Sequence, residues 1–213
     1  MQFDRKYEKQ MISIDVSIFS IIEDELKVLL VKRAVEPYAN MWSLLGGGVY
    51  NDETCETAVK RELKEKIDIV CSMPILSGVF SEPNRDIRFR NISVAYYCFV
   101  KENENIDLNK SKVTEAKWFS INEVPTLAFD HKDILVASLT SLRTRVYDID
   151  FMKEFLPKTF TLKSLQKIYE SILGTTLDKR NFRRKMASLD CLINTGVKNE
   201  LDKHKKSDIY KFK

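Results

Sequence analysis

The sequence predicts an α/β domain followed by a small basic module of two helices and a hairpin, and three observations carry that reading. Stretches rich in Val, Ile, Tyr and Phe recur between Ile12 and Ser120 at strand-like spacing. A glycine run, Gly46-Gly47-Gly48, leads into an amphipathic helical pattern from about Glu53. The charge divides sharply: residues 1–150 carry 20 Lys/Arg against 24 Asp/Glu, a balance of −4, whereas residues 151–213 carry 15 against 7, a balance of +8. Such asymmetry points to a module that meets nucleic acid or an acidic surface. Two domains are therefore expected, 1–150 and 151–213, with the boundary just ahead of the Leu156-Pro157 break.

The elements follow in order. Ile12 to Ile22 and Leu26 to Val31 read as paired strands joined by the polar turn Glu23-Asp24-Glu25. Trp42 to Leu44 is a short strand feeding the glycines, and a helix spans about Glu53 to Lys66. Ile69 to Phe80, Ile92 to Lys101 and Glu115 to Ser120 read as further strands. Asp130 to about Tyr147 has helical spacing through Ile134, Leu135, Ser138, Leu139 and Leu142. The apolar fraction of 44% suits a soluble globular chain. Cys55, Cys71, Cys98 and Cys191 form no CxxC pair, which argues against a zinc site or disulfide framework and for a reducing compartment. The charged start and the lack of an eighteen-residue apolar run predict a cytoplasmic protein with no membrane partner.

In the basic module, Thr161 stands at a helix N-cap, Leu162, Leu165, Tyr169 and Ile172 form one apolar stripe, and Gly174 closes the helix. Asp178 caps a second helix over Lys179 to Leu189, with Phe182, Met186 and Leu189 facing inward. Five of the seven residues from Lys179 to Lys185 are basic, and Arg180 and Arg184 point away from the apolar face. Two helices joined by a short turn, the second basic, predict a helix-turn-helix for double-stranded DNA. Arg180 and Arg184 suit guanine and Asn181 adenine. The remaining DNA-facing set is Thr161, Lys163, Lys179, Arg183 and Lys185, with Lys203, Lys205 and Lys206 at the tip of a hairpin over Val197 to Phe212. Ile209, Tyr210 and Phe212 would anchor that wing. An RNA or acidic-protein partner remains the alternative for so basic a helix.

Residues Gly47 to Ile69, GGVYNDETCETAVKRELKEKIDI, carry the most specific pattern. They resemble the Nudix box, G-x5-E-x7-R-E-U-x-E-E-x-G-U with U aliphatic. Gly47, Glu53, Arg61, Glu62, Leu63, Glu65 and Ile69 fall on register, so seven of nine specified positions match. The resemblance implies diphosphate chemistry with Mg²⁺ or Mn²⁺ held by carboxylates. Helix positions 62, 65 and 66 share a face, and here they are Glu62, Glu65 and Lys66. Lys66 removes an oxygen ligand and places a cation where a metal would sit; two like charges about 4 Å apart repel by roughly 4 kcal/mol at an effective dielectric near 20. Glu62 and Glu65 are thus expected to form at most a weak or vestigial metal site, with no cofactor required and Mg²⁺ held weakly. Asp68 replaces the closing Gly at a left-handed helix end, which Asp can adopt. The site reads as one that binds a nucleoside diphosphate derivative with little or no hydrolysis, no residue being assigned as catalytic.

The two halves together resemble the Nudix-related transcriptional regulators of the NrtR family. The likeness is carried by SEPNRDIRFRNISVAYY (Ser81 to Tyr97), LAFDHKDIL (Leu127 to Leu135), FTLKSLQKIYESILG (Phe160 to Gly174) and LDKRNFRRKM (Leu177 to Met186). It implies a Nudix α/β/α sandwich followed by a winged helix-turn-helix domain, in a homodimer that reads palindromic operator DNA as a repressor. The effector it implies is ADP-ribose or a related compound of NAD metabolism, whose binding loosens DNA. Carried over position by position, Arg85, Asp86 and Arg88 lie near the ligand, joined by Arg33, Arg61, Glu65 and Lys66. Ile87 stands where the family more usually has Pro, and Leu45-Gly46-Gly47 where it has LPGG. Two alternatives stay open: an active ADP-ribose pyrophosphatase with a basic appendage, and a sugar-sensing regulator of the same architecture.

Overall fold

The computed structural model describes residues 10–71, 73–101, 106–108, 112–199 and 207–213. They form two compact units, one of residues Met1–Ser20 and Val28–Ser141, the other of Ile21–Lys27 and Leu142–Lys213.

The first unit is built on a seven-stranded mixed sheet. Strands β1 (Met11–Ile22) and β2 (Glu25–Arg33) are joined through Glu23 and Asp24, whose φ of 55° and 65° are the left-handed values that a tight two-residue hairpin turn requires. β3 (Trp42–Ser43) pairs with β2, and β4 (Leu45–Gly48) runs antiparallel to β1 with Asp15 opposite Gly46. β6 (Asn91–Phe99) runs parallel to β1, and β5 (Ile75–Phe80) antiparallel to β6. β7 (Val113–Ser120) pairs with β2. The strand expected from Ile69 starts only at Ile75, because Ile69 and Cys71 instead turn into the core.

Helix α1 (Cys55–Ile67) starts where Thr54 accepts a hydrogen bond from the Thr57 N–H and ends at Asp68 with φ 55°. Its Ala58, Val59, Leu63 and Ile67 bury against Ile14, Val16 and Ile18 of β1; each large apolar side chain fully buried contributes about 1.5–3 kcal/mol. The intervening β1 residues face the other way, where the Ser17 hydroxyl donates to Ser138 (3.0 Å) of helix α2 (His131–Thr144). One helix thus covers each face of the sheet, the α/β/α layering expected.

The second unit contains α3 (Ile149–Lys153), β8 (Phe160–Thr161), α4 (Leu162–Leu173), α5 (Lys179–Ser188), β9 (Leu192–Asn199) and β10 (Ser207–Phe212), the strands ordered β8-β10-β9. Residues 142–150 cluster with this unit, whereas the charge switch and the Leu156-Pro157 break put the division after Asp150. The reason is α3, capped by Asp148, which buries Phe151 and Met152 in a stretch for which no element is expected from the sequence. Tyr147 adds a ring contact to Tyr169 at 5.7 Å.

The helix-turn-helix caps form as expected: Thr161 accepts from the Ser164 N–H, Gly174 closes α4 at φ 68°, and Asp178 accepts from the Asn181 N–H. The buried stripe is Leu165, Ile168, Tyr169 and Ile172, with Leu162 only half-buried. Glu170 clamps the turn by accepting from the Leu177 N–H (2.8 Å), and Gln166 donates to the Leu177 carbonyl (2.8 Å). The wing is longer than the Val197 start predicts, since Leu192 already pairs with Phe212. Phe212 also meets Phe160 at 4.9 Å, and Tyr210 pairs with Phe160 across β8.

Candidate functional site

A cleft in the first unit is lined by the glycine strand, by the start of β1 and by the segments around Arg85–Phe89 and Phe129–His131. The glycines are there because nothing larger fits. A Cβ on Gly46 would stand 2.3 Å from an Asp15 carboxylate oxygen, and one on Gly47 would stand 2.1 Å from Glu62. The close approach of β4 to β1 and α1 therefore excludes side chains.

Arg61 is the hub of the box. Its guanidinium makes a two-pronged bond to Glu53 (2.9 and 2.6 Å), donates to Glu62 (2.6 Å) and to the Gly48 carbonyl (2.8 Å), and lies over the Tyr50 ring at 3.9 Å. The bonds to Glu53, then to Glu62, raise the Arg61 pKa, and the Arg61 bond lowers that of Glu53. Arg61, expected at the ligand, does not line the cleft; its donors hold the glycine strand to α1. Glu65 is also off the cleft lining, 3.8 Å from Arg61 and 3.4 Å from Lys112.

Lys66 does line the cleft, and it folds back onto the box. Its ammonium stands 2.9 Å from a Glu62 carboxylate oxygen and donates to the Gly46 carbonyl. The other Glu62 oxygen receives Arg61, so both oxygens of this carboxylate face a protein cation. Glu62 is 6% exposed and thus poorly placed to find a further partner. This donor set does not suit Mg²⁺, which needs hard oxygens in near-octahedral array. Among the described residues no three His, Cys, Asp or Glu side chains converge as a metal group.

A second charged network lies deeper. Arg85 is 4% exposed, with a two-pronged bond to Asp130 (2.8 and 2.7 Å) and a bond to Asp15 (3.2 Å). Burial works against the Arg85 charge, but Asp130 and Asp15 more than offset it and raise its pKa. Ser93 donates to Asp15 at 2.6 Å. His131 accepts the Leu44 N–H at Nδ1 (2.9 Å), which leaves its proton on Nε2, 3.4 Å from Asp15. Complete burial lowers the His131 pKa, so the ring is held neutral.

The mouth is aromatic and cationic. The Phe129 ring lies beneath Arg33 (4.9 Å) and Arg88 (5.8 Å) and meets Tyr38 edge-on at 4.8 Å. Phe129 has φ 52°, a left-handed value that a bulky residue adopts only under strain from its surroundings. Asp86 is buried, and burial pushes its pKa up, but the two-pronged bond from Arg88 (2.9 and 2.7 Å) leaves it below the usual value. Burial, then the nearby Arg88, lowers the Arg33 pKa.

The structure therefore brings Arg33, Lys66, Arg85, Asp86 and Arg88 to one cleft, and adds Asp15, Phe129 and His131, which were not assigned to it from sequence. Asp15 carried a signal: a lone carboxylate within the Ile-Val alternation of a central strand.

On the second unit, α5 buries Phe182 and Met186 and exposes Lys179, Arg180, Asn181, Arg183, Arg184 and Lys185. Leu189 is half-buried rather than internal. Arg184 donates to the Asn181 side chain (2.9 Å), and Lys185 lies 5.0 Å over the Tyr147 ring. Lys163 is exposed on the first turn of α4, beside the cap Thr161. Lys203, Lys205 and Lys206 lie outside the described residues.

Comparison with known proteins matches both units. Residues 11–137 fit the NUDIX domain model, and residues 152–212 fit the NrtR DNA-binding winged helix domain. The chain is 31% identical over 208 residues to the ADPR responsive transcriptional repressor NtrR of Acinetobacter baylyi, covering 93% of this chain and 78% of that protein. It is 39% identical over 120 residues to an ADP-ribose pyrophosphatase of Methanocaldococcus jannaschii, covering 56% and 70%. The crystal structure of Shewanella oneidensis NrtR complexed with a 27mer DNA superposes with a TM-score of 0.73 at 28% identity, covering 95% and 93%. The NUDIX domain of that protein complexed with ADP ribose matches at 0.58 and 28%, covering 66% and 94%. No helix among the described residues is long and apolar enough to cross a membrane. The matches over both units, and the repressor aligned along nearly the whole chain, place this protein in the NrtR family of Nudix-domain transcriptional regulators.

Proposed function

We propose that this chain is a transcriptional repressor whose Nudix domain senses ADP-ribose or a related nucleoside diphosphate and whose α5 reads operator DNA. The observation that carries the sensor reading is Lys66 seated on Glu62. A carboxylate flanked by Arg61 and Lys66 cannot also hold a catalytic dication, so the box keeps its architecture and loses its hydrolytic power. The relatives supply the ligands: one is ADPR responsive, one was crystallised with a 27mer DNA and its NUDIX domain with ADP ribose. In the cleft, Arg33 and Arg88 offer forked donors to phosphate oxygens, and the Phe129 ring offers an apolar face to a base or ribose.

In this reading the protein is a cytoplasmic homodimer without a required cofactor, and its output is DNA occupancy. An effector that releases DNA binds the DNA-free form more tightly, and DNA weakens effector binding by the same factor. The test is operator-binding anisotropy titrated with ADP-ribose, NAD and a panel of sugars. Release by ADP-ribose alone supports the reading, release by a pentose shifts it to the sugar-sensing form, and equal affinity with and without operator overturns the coupling. An active pyrophosphatase remains the second reading, favoured by the seven box positions kept on register and by the 39% identity to an ADP-ribose pyrophosphatase. Mg²⁺-dependent turnover of ADP-ribose at ordinary enzyme rates, about 1–10³ s⁻¹, would establish it.

A further inference from the structure

We propose that Lys66 is a resident cation that replaces the divalent metal of the box as the positive partner of a bound diphosphate, so that effector binding is independent of metal. This rests on the reading of the cleft as a nucleoside diphosphate site, and it assigns the side chain that makes such a site work without Mg²⁺.

The geometry is that of an ion site with an ammonium in it. Lys66 Nζ has a carboxylate oxygen of Glu62 at 2.9 Å and a bond to the Gly46 carbonyl, which are the two kinds of hard oxygen a small cation takes. Gly47 lies so close to Glu62 that no side chain fits between the glycine strand and that carboxylate. The Lys66 side chain is 16% exposed and lines the cleft, so it is neither a solvated surface charge nor sealed in the core. An ammonium has three donors. Gly46 takes one, Glu62 is an ion-pair partner whose facing oxygen accepts no hydrogen bond, and a remaining donor serves a ligand oxygen entering the cleft.

Charge balance points the same way. Around the box Arg61, Lys66 and Lys112 face Glu53, Glu62 and Glu65, three cations against three carboxylates. Addition of a dication to a set already neutral would require displacing Lys66 from Glu62. Addition of a diphosphate requires nothing of the kind, because Lys66, Arg33 and Arg88 all line the same cleft.

The experiment uses the full chain, Lys66→Gln and Lys66→Glu, with thermal melting to confirm that each is folded. Wild-type affinity for ADP-ribose, read by calorimetry, should be the same within about twofold in EDTA and in Mg²⁺. Lys66→Gln should lose about 10- to 100-fold in both, the range for a lost charged hydrogen bond. Lys66→Glu should bind poorly in EDTA and regain affinity in Mg²⁺. In an independent arm without nucleotide, Mn²⁺ titrated by electron paramagnetic resonance should bind Lys66→Glu at least about tenfold more tightly than wild type, as expected once a third carboxylate joins Glu62 and Glu65. A tenfold loss of wild-type ADP-ribose affinity in EDTA, or Mn²⁺ binding to wild type as tight as to Lys66→Glu, would overturn the proposal. Failure of every variant to bind ADP-ribose would overturn the sensor reading instead, and the Mn²⁺ arm would still decide whether Lys66 occupies the metal position.

Discussion

The cleft and helix α5 are both rich in Arg and Lys, and they use them in opposite ways. In the cleft three cations are matched by carboxylates within the fold, Lys66 by Glu62, Arg85 by Asp130 and Asp15, and Arg88 by Asp86, and Arg61 behind it is matched by Glu53 and Glu62. On α5 the side chains of Lys179, Arg180, Arg183 and Arg184 are exposed, and only its apolar pair, Phe182 and Met186, is committed to packing. A site that must select one small ligand needs charges held rigidly in place, because precision comes from groups whose rotamers are locked by neighbours. A surface that must find a polyanion needs charge that stays available, since affinity there comes from neutralised phosphates and released counterions.

The contrast can be broken at either end, and the largest effect should come from the cleft. Arg85→Met leaves Asp15 and Asp130 buried without their cation, which should cost about 3–5 kcal/mol of stability. Chemical denaturation that finds less than about 1 kcal/mol would show that the network is solvated and that the cleft charges resemble those of α5.

On α5 the expectation reverses. Arg180→Ala or Arg184→Ala should leave stability within about 0.5 kcal/mol of wild type. Each should cost about 1–3 kcal/mol of operator binding and relax sequence preference at the base it reads. A variant that still discriminates operator from random duplex to the same degree would remove that arginine from the recognition surface. Lys179→Ala should act more mildly, weakening all duplexes alike and reducing the slope of log affinity against log salt by about 0.9.

The smallest effect is a pH dependence confined to the cleft. His131 is held neutral by burial, so its folded pKa lies below the ordinary 6.5. As pH falls through that ordinary value, the unfolded chain takes up a proton that the folded chain does not, and stability declines until the folded pKa is reached. His131→Asn, whose amide oxygen can still accept the Leu44 N–H, should flatten this decline below pH about 6.5. An unchanged slope in denaturation series between neutral and mildly acidic pH would mean that His131 takes its proton in the fold as readily as outside it.

Much of this is legible in the sequence. The caps Thr161, Gly174 and Asp178, the left-handed Asp68 and the outward set on α5 all follow from local rules, because a cap or a helical face depends on residues within one turn. Elements whose limits depend on partners were read less well. β5 is shorter than its β-rich stretch, β9 begins ahead of the expected Val197, and α3 stands where no element is expected. Arg61 illustrates the same limit in the site: its register in the box is plain, yet its partners Glu53 and Gly48 are eight and thirteen residues away in sequence.

What the sequence by itself determined is the identity of the two modules and the substitution at which this box departs from the Nudix pattern, since seven spaced positions, Lys66 and a charge of +8 on residues 151–213 are properties of the chain order. Only the tertiary structure decided what Lys66 touches. Glu62 is four residues away on the same helix, within reach of any i,i+4 pair, but Gly46 belongs to a strand twenty residues earlier, and Asp15, Arg85 and Asp130 meet from three distant segments. Local geometry places residues on a face, and long-range packing alone brings those faces together around a cleft.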